Sequence, residues 1–492
     1  MPRKLRILMV TSEAVPFAKT GGLADVCGAL PKALDELGHD VRILMPLYRE
    51  VKISEHRIRR AAALQDTVIH LGEEETRIGF RTGKLPESEV KVYFVDQPPL
   101  YGRKGLYVDP ESGKDFPDND RRFALLSRAA LALCEKLDWT PDIIHCHDWQ
   151  AALVPLMIRD REYGPRFAST QTVLTIHNLG FQGNFPSQTL ELLRIYQHLF
   201  QPMGPLEYHG KLSYLKAGVV FATKLNAVSP TYAREIQGSE KFGCGFEGIL
   251  RERSADLVGI LNGIDVNIWN PETDADIAAN YGRETLSRKV ENKKALCKRV
   301  GIPFRENIPL LGTISRLTDQ KGFDLFAEIR DEFSSLPLQF VLLGTGDEKY
   351  ETLFREMARL NPERFHVVIG FDNKLAHQIE AGVDCYLMPS RYEPAGLNQM
   401  MSMRYGTVPL VRATGGLADT VIDIDAEPER GNGFTFDEYD AALFLRTIRR
   451  ALKTYADKPR WRAMQQRGMA RDFSWRASAQ KYVELYEQAL QR

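Results

Sequence analysis

The chain has 492 residues, of which 43% are hydrophobic and 26% charged, with 65 basic and 65 acidic side chains and no net charge. That length exceeds what one core organises and predicts two or three domains. The charge balance excludes a whole-molecule attraction to nucleic acid or anionic membrane, so any anion site must be built locally. In chain order, apolar strands are predicted at Arg6–Val10, Asp40–Met45, Val90–Val95, Ile143–His147, Val173–His177 and Leu225–Val228. A second set falls at Leu310–Ile314, Phe340–Leu343, His366–Ile369, Cys385–Met388 and Val408–Val411. Near-continuous Val/Ile/Leu strands alternating with helical patterns predict parallel sheets covered on both faces. A domain break is expected near Leu257–Gly259. Pro271 to Gly282 then reads as a loop at the mouth of the second domain, rich in Asn-Pro and Asp turn chemistry.

Between the first strand and a helical stretch at Val26–Leu37 stands Lys19-Thr20-Gly21-Gly22-Leu23-Ala24-Asp25. A strand, a Gly turn and a helix N-terminus can face an anion, and Lys19 adds charge. The pattern nearly recurs as Ala413-Thr414-Gly415-Gly416-Leu417-Ala418-Asp419, again after an apolar run. One such turn is an ordinary tight connection. Two, in opposite halves, predict a ligand held between two similar domains.

The other polar clusters stand at strand C-termini, where open parallel sheets bind ligands. His145-x-His147 puts two histidines on one strand face. Nothing completes a metal set, so one packed histidine and one lining the expected cleft is the favoured reading. Asp148 and Trp149 suit a sugar, through hydroxyl hydrogen bonds and ring packing. Arg316 and Lys321 suit a diphosphate; a lone basic pair reads better as solvated on a loop, but at the mouth of a parallel sheet the phosphate reading gains ground. Glu393, on a Pro/Gly turn before a helix predicted at Gln399–Tyr405, either complements the helix dipole or offsets charge at an anomeric carbon. The Asp-x-Asp pairs at 118/120, 274/276 and 423/425 read as solvated.

Taken in order, Lys19-Thr-Gly-Gly-Leu, His147-Asp148-Trp149, Thr175-Ile-His-Asn178, Leu261-Asn-Gly-Ile-Asp265, Ser315-Arg-Leu-Thr-Asp-Gln-Lys321 and Glu393-Pro-Ala-Gly396 resemble the motifs of bacterial glycogen synthases and plant starch synthases. The match runs from residue 7 to Phe473-Ser474-Trp475. The resemblance implies an α/β protein with the GT-B glycosyltransferase fold, two Rossmann-like domains whose parallel sheets face a central cleft. Its domains would be 1–258, 259–474 (the nucleotide-sugar side) and a helix at 475–492 crossing back to the first.

It further implies retaining transfer of glucose from ADP-glucose to the non-reducing 4-hydroxyl of glycogen or another α-1,4-glucan. Glu393, His177, Asp148, Arg316 and Lys321 would be catalytic. Lys19, Gly22, Asp25, Trp149, Asn262, Gly396, Leu397 and Asn398 would bind substrate. No cofactor, metal, nucleic acid or membrane partner is implied. The acceptor proton would leave on the departing phosphate, since no second carboxylate is obviously placed as a nucleophile.

Three departures stand out: Ala395 where the family often has Cys, Asn398 where it often has Thr, and Met401 where many related transferases carry a second glutamate. The segment Tyr101 to Asp120 resembles the family's acceptor-side loop, or is a surface loop with packed aromatics. Rival readings are a UDP-sugar transferase or phosphorylase-like enzyme, a non-catalytic glucan-binding homologue, and an epimerase of similar architecture. A non-catalytic homologue would be expected to lose Lys19, Arg316, Lys321 or Glu393, and all four are present. Six cysteines at 27, 134, 146, 244, 297 and 385 form no Cys-x-x-Cys pair, and no apolar run spans a bilayer. With no leader pattern ahead of the first strand, a reducing cytoplasm is the expected compartment.

Overall fold

A computed structural model describes residues 3–159, 164–194 and 197–491. The chain divides into two compact units. Unit 1 comprises Met1–Val228, Ala233–Ile260 and Trp475–Arg492, and unit 2 comprises Ser229–Tyr232 and Leu261–Ser474.

Among the described residues, unit 1 is built on a ten-stranded sheet. Its parallel part runs Leu257–Gly259, Lys224–Ala227, Gln171–Ile176, Ile143–His147, Arg6–Val10, Asp40–Pro46, Lys91–Asp96. The middle of the central strands is apolar and buried, with Ile7–Val10, Ile43–Met45, Ile143–Ile144 and Val173–Leu174 all at 0% exposure, as a sheet covered by helices requires. The C-terminal helix Trp475–Leu490 packs against the helix Gly22–Glu36. Its Tyr486 hydroxyl lies 2.8 Å from His145 Nδ1, and its Tyr482 hydroxyl accepts from Asn226 Nδ2 at 2.9 Å.

Beyond Lys91–Asp96 the sheet turns antiparallel, through Glu74–Lys84 with Arg59–Arg60 and Thr67–Leu71. This ribbon was not anticipated. Its signal was a period-2 alternation, Thr67 and Ile69 and Leu71 buried, Val68 and His70 exposed, ahead of a Gly72-Glu73 turn. The expected strand at Val173–His177 stops at Ile176, which places His177 just past the sheet edge.

Unit 2 carries a six-stranded parallel sheet in the order Phe365–Ile369, Gln339–Gly346, Leu310–Leu317, Cys385–Met388, Val408–Arg412, Phe434–Phe436. Strands are added outward one way from Leu310–Leu317, then outward the other way from Cys385–Met388. The reversal between those two neighbours is the switch point where α/β sheets bind ligands. The core on one face is phenylalanine-rich. Phe326 meets Phe444 edge-on at 5.0 Å, and Phe333 meets Phe340 at 5.3 Å. Each buried ring contributes roughly 1.5–3 kcal/mol of burial energy, with edge-to-face geometry adding to it.

The loop after Pro271 corrects one expectation. Asp274 is not solvated. It is buried, and accepts from His377 Nδ1 at 2.7 Å and the Tyr405 hydroxyl at 2.5 Å, while Trp269 stacks on His377 at 4.1 Å. Asp423 likewise is half-buried, accepting from the Thr435 N–H at 2.7 Å and pairing with Arg450. An acidic turn segment is as able to staple a loop to its domain as to face water, and the Asp-x-Asp spacing does not tell the two apart.

Candidate active site

In unit 1 the chain leaves Arg6–Val10 through Thr11-Ser12-Glu13. Glu13, which no motif singles out, is buried. Its carboxylate accepts from the Thr20 N–H, from the Thr20 hydroxyl at 2.6 Å and from the Tyr107 hydroxyl at 2.5 Å. It therefore shapes the Lys19–Asp25 turn and ties the Tyr101–Asp120 segment to it. No motif spacing signals such a role, because the partners lie 7 and 94 residues away.

The turn itself is open. No atom lies within 4 Å of where a side chain at Gly21 or Gly22 would begin, and the helix Gly22–Glu36 starts with no side-chain cap. Its first N–H groups are thus available to an anion. Lys19 Nζ pairs with Asp25 at 2.7 Å, with Lys19 half-exposed. An exposed pair contributes about 0–1 kcal/mol, so a phosphate can draw Lys19 away.

Asp148 follows the strand Ile143–His147 in the left-handed region, at φ 54°. Its Oδ1 accepts from the His177 N–H at 2.7 Å, with the Asn178 N–H as a further donor. Burial pushes its pKa up to about 7, helped by the charge on Glu13 and opposed by those hydrogen bonds. His177 Nε2 lies 3.0 Å from His147 Nδ1. Burial drives the His177 pKa down to about 3 and that of His147 well below its usual value, so both rings are neutral at physiological pH. His147 Nε2 has no partner among the described residues. An unpaired acceptor costs less than an unpaired N–H, so we assign the Nδ1–H to His147. His177 then carries its own proton on Nδ1, as a neutral donor.

Two expectations change here. His145 and His147 are both fully buried, and neither lines open space. Trp149 is buried against Phe123 at 4.8 Å and Phe185 at 5.6 Å, and a Cβ on Gly183 would fall 2.5 Å from its ring. Its indole packs in the core of unit 1.

In unit 2, Lys321 Nζ lies 2.6 Å from Glu393 Oε2, and Ser390 Oγ donates to the same oxygen at 3.0 Å. Glu393 is 7% exposed, so the carboxylate is held by a cation and a hydroxyl with little help from water. Arg316 is exposed, and its guanidinium has no ion pair or hydrogen bond to a described residue. Asn262 is buried with Oδ1 unpartnered among the described residues. Gly396 adopts φ 65°, and Leu397 packs beside the small cluster of Ile264, Met400 and Leu417. Asn398 directs both amide hydrogens at its own domain, to Ile314 O at 3.1 Å and Tyr386 Oη at 2.5 Å.

The second Thr-Gly-Gly-Leu turn is not a copy of the first. A Cβ on Gly415 would lie 2.0 Å from Glu393 O, and one on Gly416 1.8 Å from Ala395 O. The Gly416 N–H donates to Glu393 O at 3.1 Å. The space that is open at Gly21 and Gly22 is filled here by the Glu-Pro-Ala backbone. Asp419 differs from Asp25 too, taking the Thr231 N–H at 2.9 Å and hydroxyl at 2.7 Å. The first turn is open at both glycines, whereas the second is packed against the backbone that carries Glu393.

The starch synthase catalytic domain family matches residues 6–252, and the family of glycosyl transferases group 1 matches residues 298–468. Glycogen synthase 1 of Methylococcus capsulatus is 46% identical, over 99% of this chain and 97% of its own. The glycogen synthase of Geotalea daltonii is 48% identical over 99% of both. Among solved structures, the catalytic domain of Starch Synthase IV from Arabidopsis thaliana, bound to ADP and acarbose, superposes with a TM-score of 0.89 at 33% identity, covering 100% of each chain. Sucrose-phosphate synthase from Thermosynechococcus elongatus, at 17% identity and a TM-score of 0.59 over 99% of each chain, shares the fold alone. Two parallel-sheet units with these matches define a glycosyltransferase of the GT-B fold. More narrowly, the chain belongs to the starch and glycogen synthase family.

Proposed function

We propose that the chain transfers the glucosyl group of ADP-glucose to the non-reducing 4-hydroxyl of an α-1,4-glucan, with retention at the anomeric carbon. The observation that carries this reading is the unit 2 constellation: a buried glutamate charge-paired to a lysine, and, on the strand Leu310–Leu317, an exposed arginine with no partner among the described residues. ADP, the leaving group of that reaction, is what the Arabidopsis neighbour holds.

In the reaction the bond from the anomeric carbon to the phosphate oxygen breaks and a bond to the acceptor O4 forms. The acceptor proton goes to the departing phosphate. Arg316, as a planar fork, and Lys321, as a point charge, take up the negative charge growing on the diphosphate. Lys19 and the open turn at Gly22 serve the donor in unit 1, with Asp25 holding Lys19 until a stronger anion arrives. His177 donates as a neutral imidazole, which binds a sugar hydroxyl without repelling a positive anomeric carbon. Glu393, and Asp148 when ionised, supply negative charge to that carbon. Asn262 keeps a buried acceptor for a sugar hydroxyl. Gly396 and Leu397 shape the backbone beside Glu393.

We place the enzyme in the cytoplasm. All six cysteines are free thiols, five of them buried, and among the described residues no helix is long and apolar enough to cross a membrane.

A radiolabel transfer assay tests the reading. ADP-[14C]glucose with glycogen should label the polymer, UDP-glucose should do so far less well, and omitting glycogen should abolish transfer. Equal use of UDP-glucose, or donor hydrolysis without transfer, would contradict it.

A further inference from the structure

The strands that meet at the unit 2 switch point do not stay paired. Leu310–Leu317 pairs with Gln339–Gly346 along its length, from Leu310↔Gln339 to Leu317↔Gly346. With Cys385–Met388 it pairs only at Leu311↔Cys385 and Gly312↔Tyr386. Beyond Gly312 those two strands part, and Ile314 is left with backbone groups that the ladder no longer satisfies.

A side chain satisfies them instead. The Ile314 N–H donates to Tyr386 Oη at 2.8 Å, and that hydroxyl donates back to Ile314 O at 2.8 Å. Asn398 Nδ2 closes the cluster on both acceptors. A phenol has one proton and two lone pairs, and here all three are used. Tyr386 is fully buried, and burial raises its pKa well above 10, so the donating proton stays on. On the opposite side the same segment is pressed against bare backbone. A Cβ on Gly344 would lie 2.0 Å from Ser315 O, and one on Gly346 2.3 Å from Leu317 O. Residues 314–317 are thus gripped from both sides, and the exposed guanidinium of Arg316 rises from the middle of the grip.

We propose that Tyr386 and Asn398 are positioning residues: they staple the parted end of Leu310–Leu317 and so hold Arg316 in register for the donor's phosphates. The proposal rests on the ADP-glucose reading above. It also accounts for Asn398. An amide offers two hydrogens and bridges both acceptors, whereas the hydroxyl of a Thr offers one.

A double-mutant cycle tests this on the full chain, with kcat and KM for ADP-glucose measured on glycogen and a thermal melt for each variant. Y386F and N398A should each lower kcat about tenfold, since a misplacement near 1 Å can cost up to about a hundredfold. N398T should fall between N398A and wild type, and KM for glycogen should not move. In the R316A background Y386F and N398A should cost less than about twofold more, because the group they position is already gone. A full tenfold loss in that background would show a merely structural role and overturn the proposal. Should Y386F fail to fold, the N398A and R316A cycle decides alone. A wild-type chain that does not use ADP-glucose would sink the functional reading, and the proposal with it. An active wild type with additive cycles would sink the proposal only.

Discussion

Glu393 and Lys321 form a pair whose members are unequally placed. The Glu393 side chain is 8% exposed and that of Lys321 20%. K321A strands a buried charge and should cost about 3–5 kcal/mol of stability by chemical denaturation. E393Q keeps volume and a hydrogen-bonding oxygen, and Lys321 can turn to water, so its melting temperature should stay within about 5 °C of wild type. Its kcat should nevertheless drop about a hundredfold, the scale of losing one preorganised charge. A fully active E393Q would reduce the carboxylate to a helix-end charge. Asp148 makes a pH-dependent contribution of definite sign. Its folded pKa of about 7 lies above the usual carboxylate value. The stability it lends is therefore complete below about pH 4 and is lost as pH rises through about 7. His145 and His177, both lowered to about 3 by burial, act oppositely, costing stability as pH falls below about 6.5. The difference in melting temperature between D148N and wild type isolates the first effect. It should shift in favour of D148N from pH 4 to 7, and a flat difference would show that folding leaves the Asp148 pKa unshifted.

Elements separate the two glycine turns more sharply than sequence does. G22A adds a methyl to empty space and should fold with a change under about 1 kcal/mol, yet raise KM for ADP-glucose about tenfold. G416A drives a methyl into the Ala395 carbonyl and should cost more than about 2 kcal/mol. If both variants fold alike, the turns are more alike than their packing indicates. Such contrasts mark the limit of what the chain announces about itself. The buried parallel strands were legible because both faces are apolar, and the motifs because they sit at strand ends. Glu13, Tyr386 and the burial of Trp149 were not legible. Each depends on partners brought together by the fold, and an isolated Glu, Tyr or Trp reads the same in a core, a staple or a site.

At the scale of the molecule, the alternation of strand and helix was enough to predict parallel α/β architecture, and the ordered motifs were enough to point to the family. The antiparallel ribbon was missed because its residues alternate where the rest run apolar. Cationic side chains are assigned the diphosphate, so activity should survive EDTA without added magnesium or manganese; abolition reversed by either ion would mean a metal does that work. The central claim is that this chain makes α-1,4 bonds from ADP-glucose with retention. Proton NMR of the product formed from ADP-glucose and a short maltooligosaccharide tests it most directly. The account predicts new α-1,4 anomeric signals growing in step with ADP release, from the first turnover. A β-linked product, or free glucose in place of a longer chain, would contradict it.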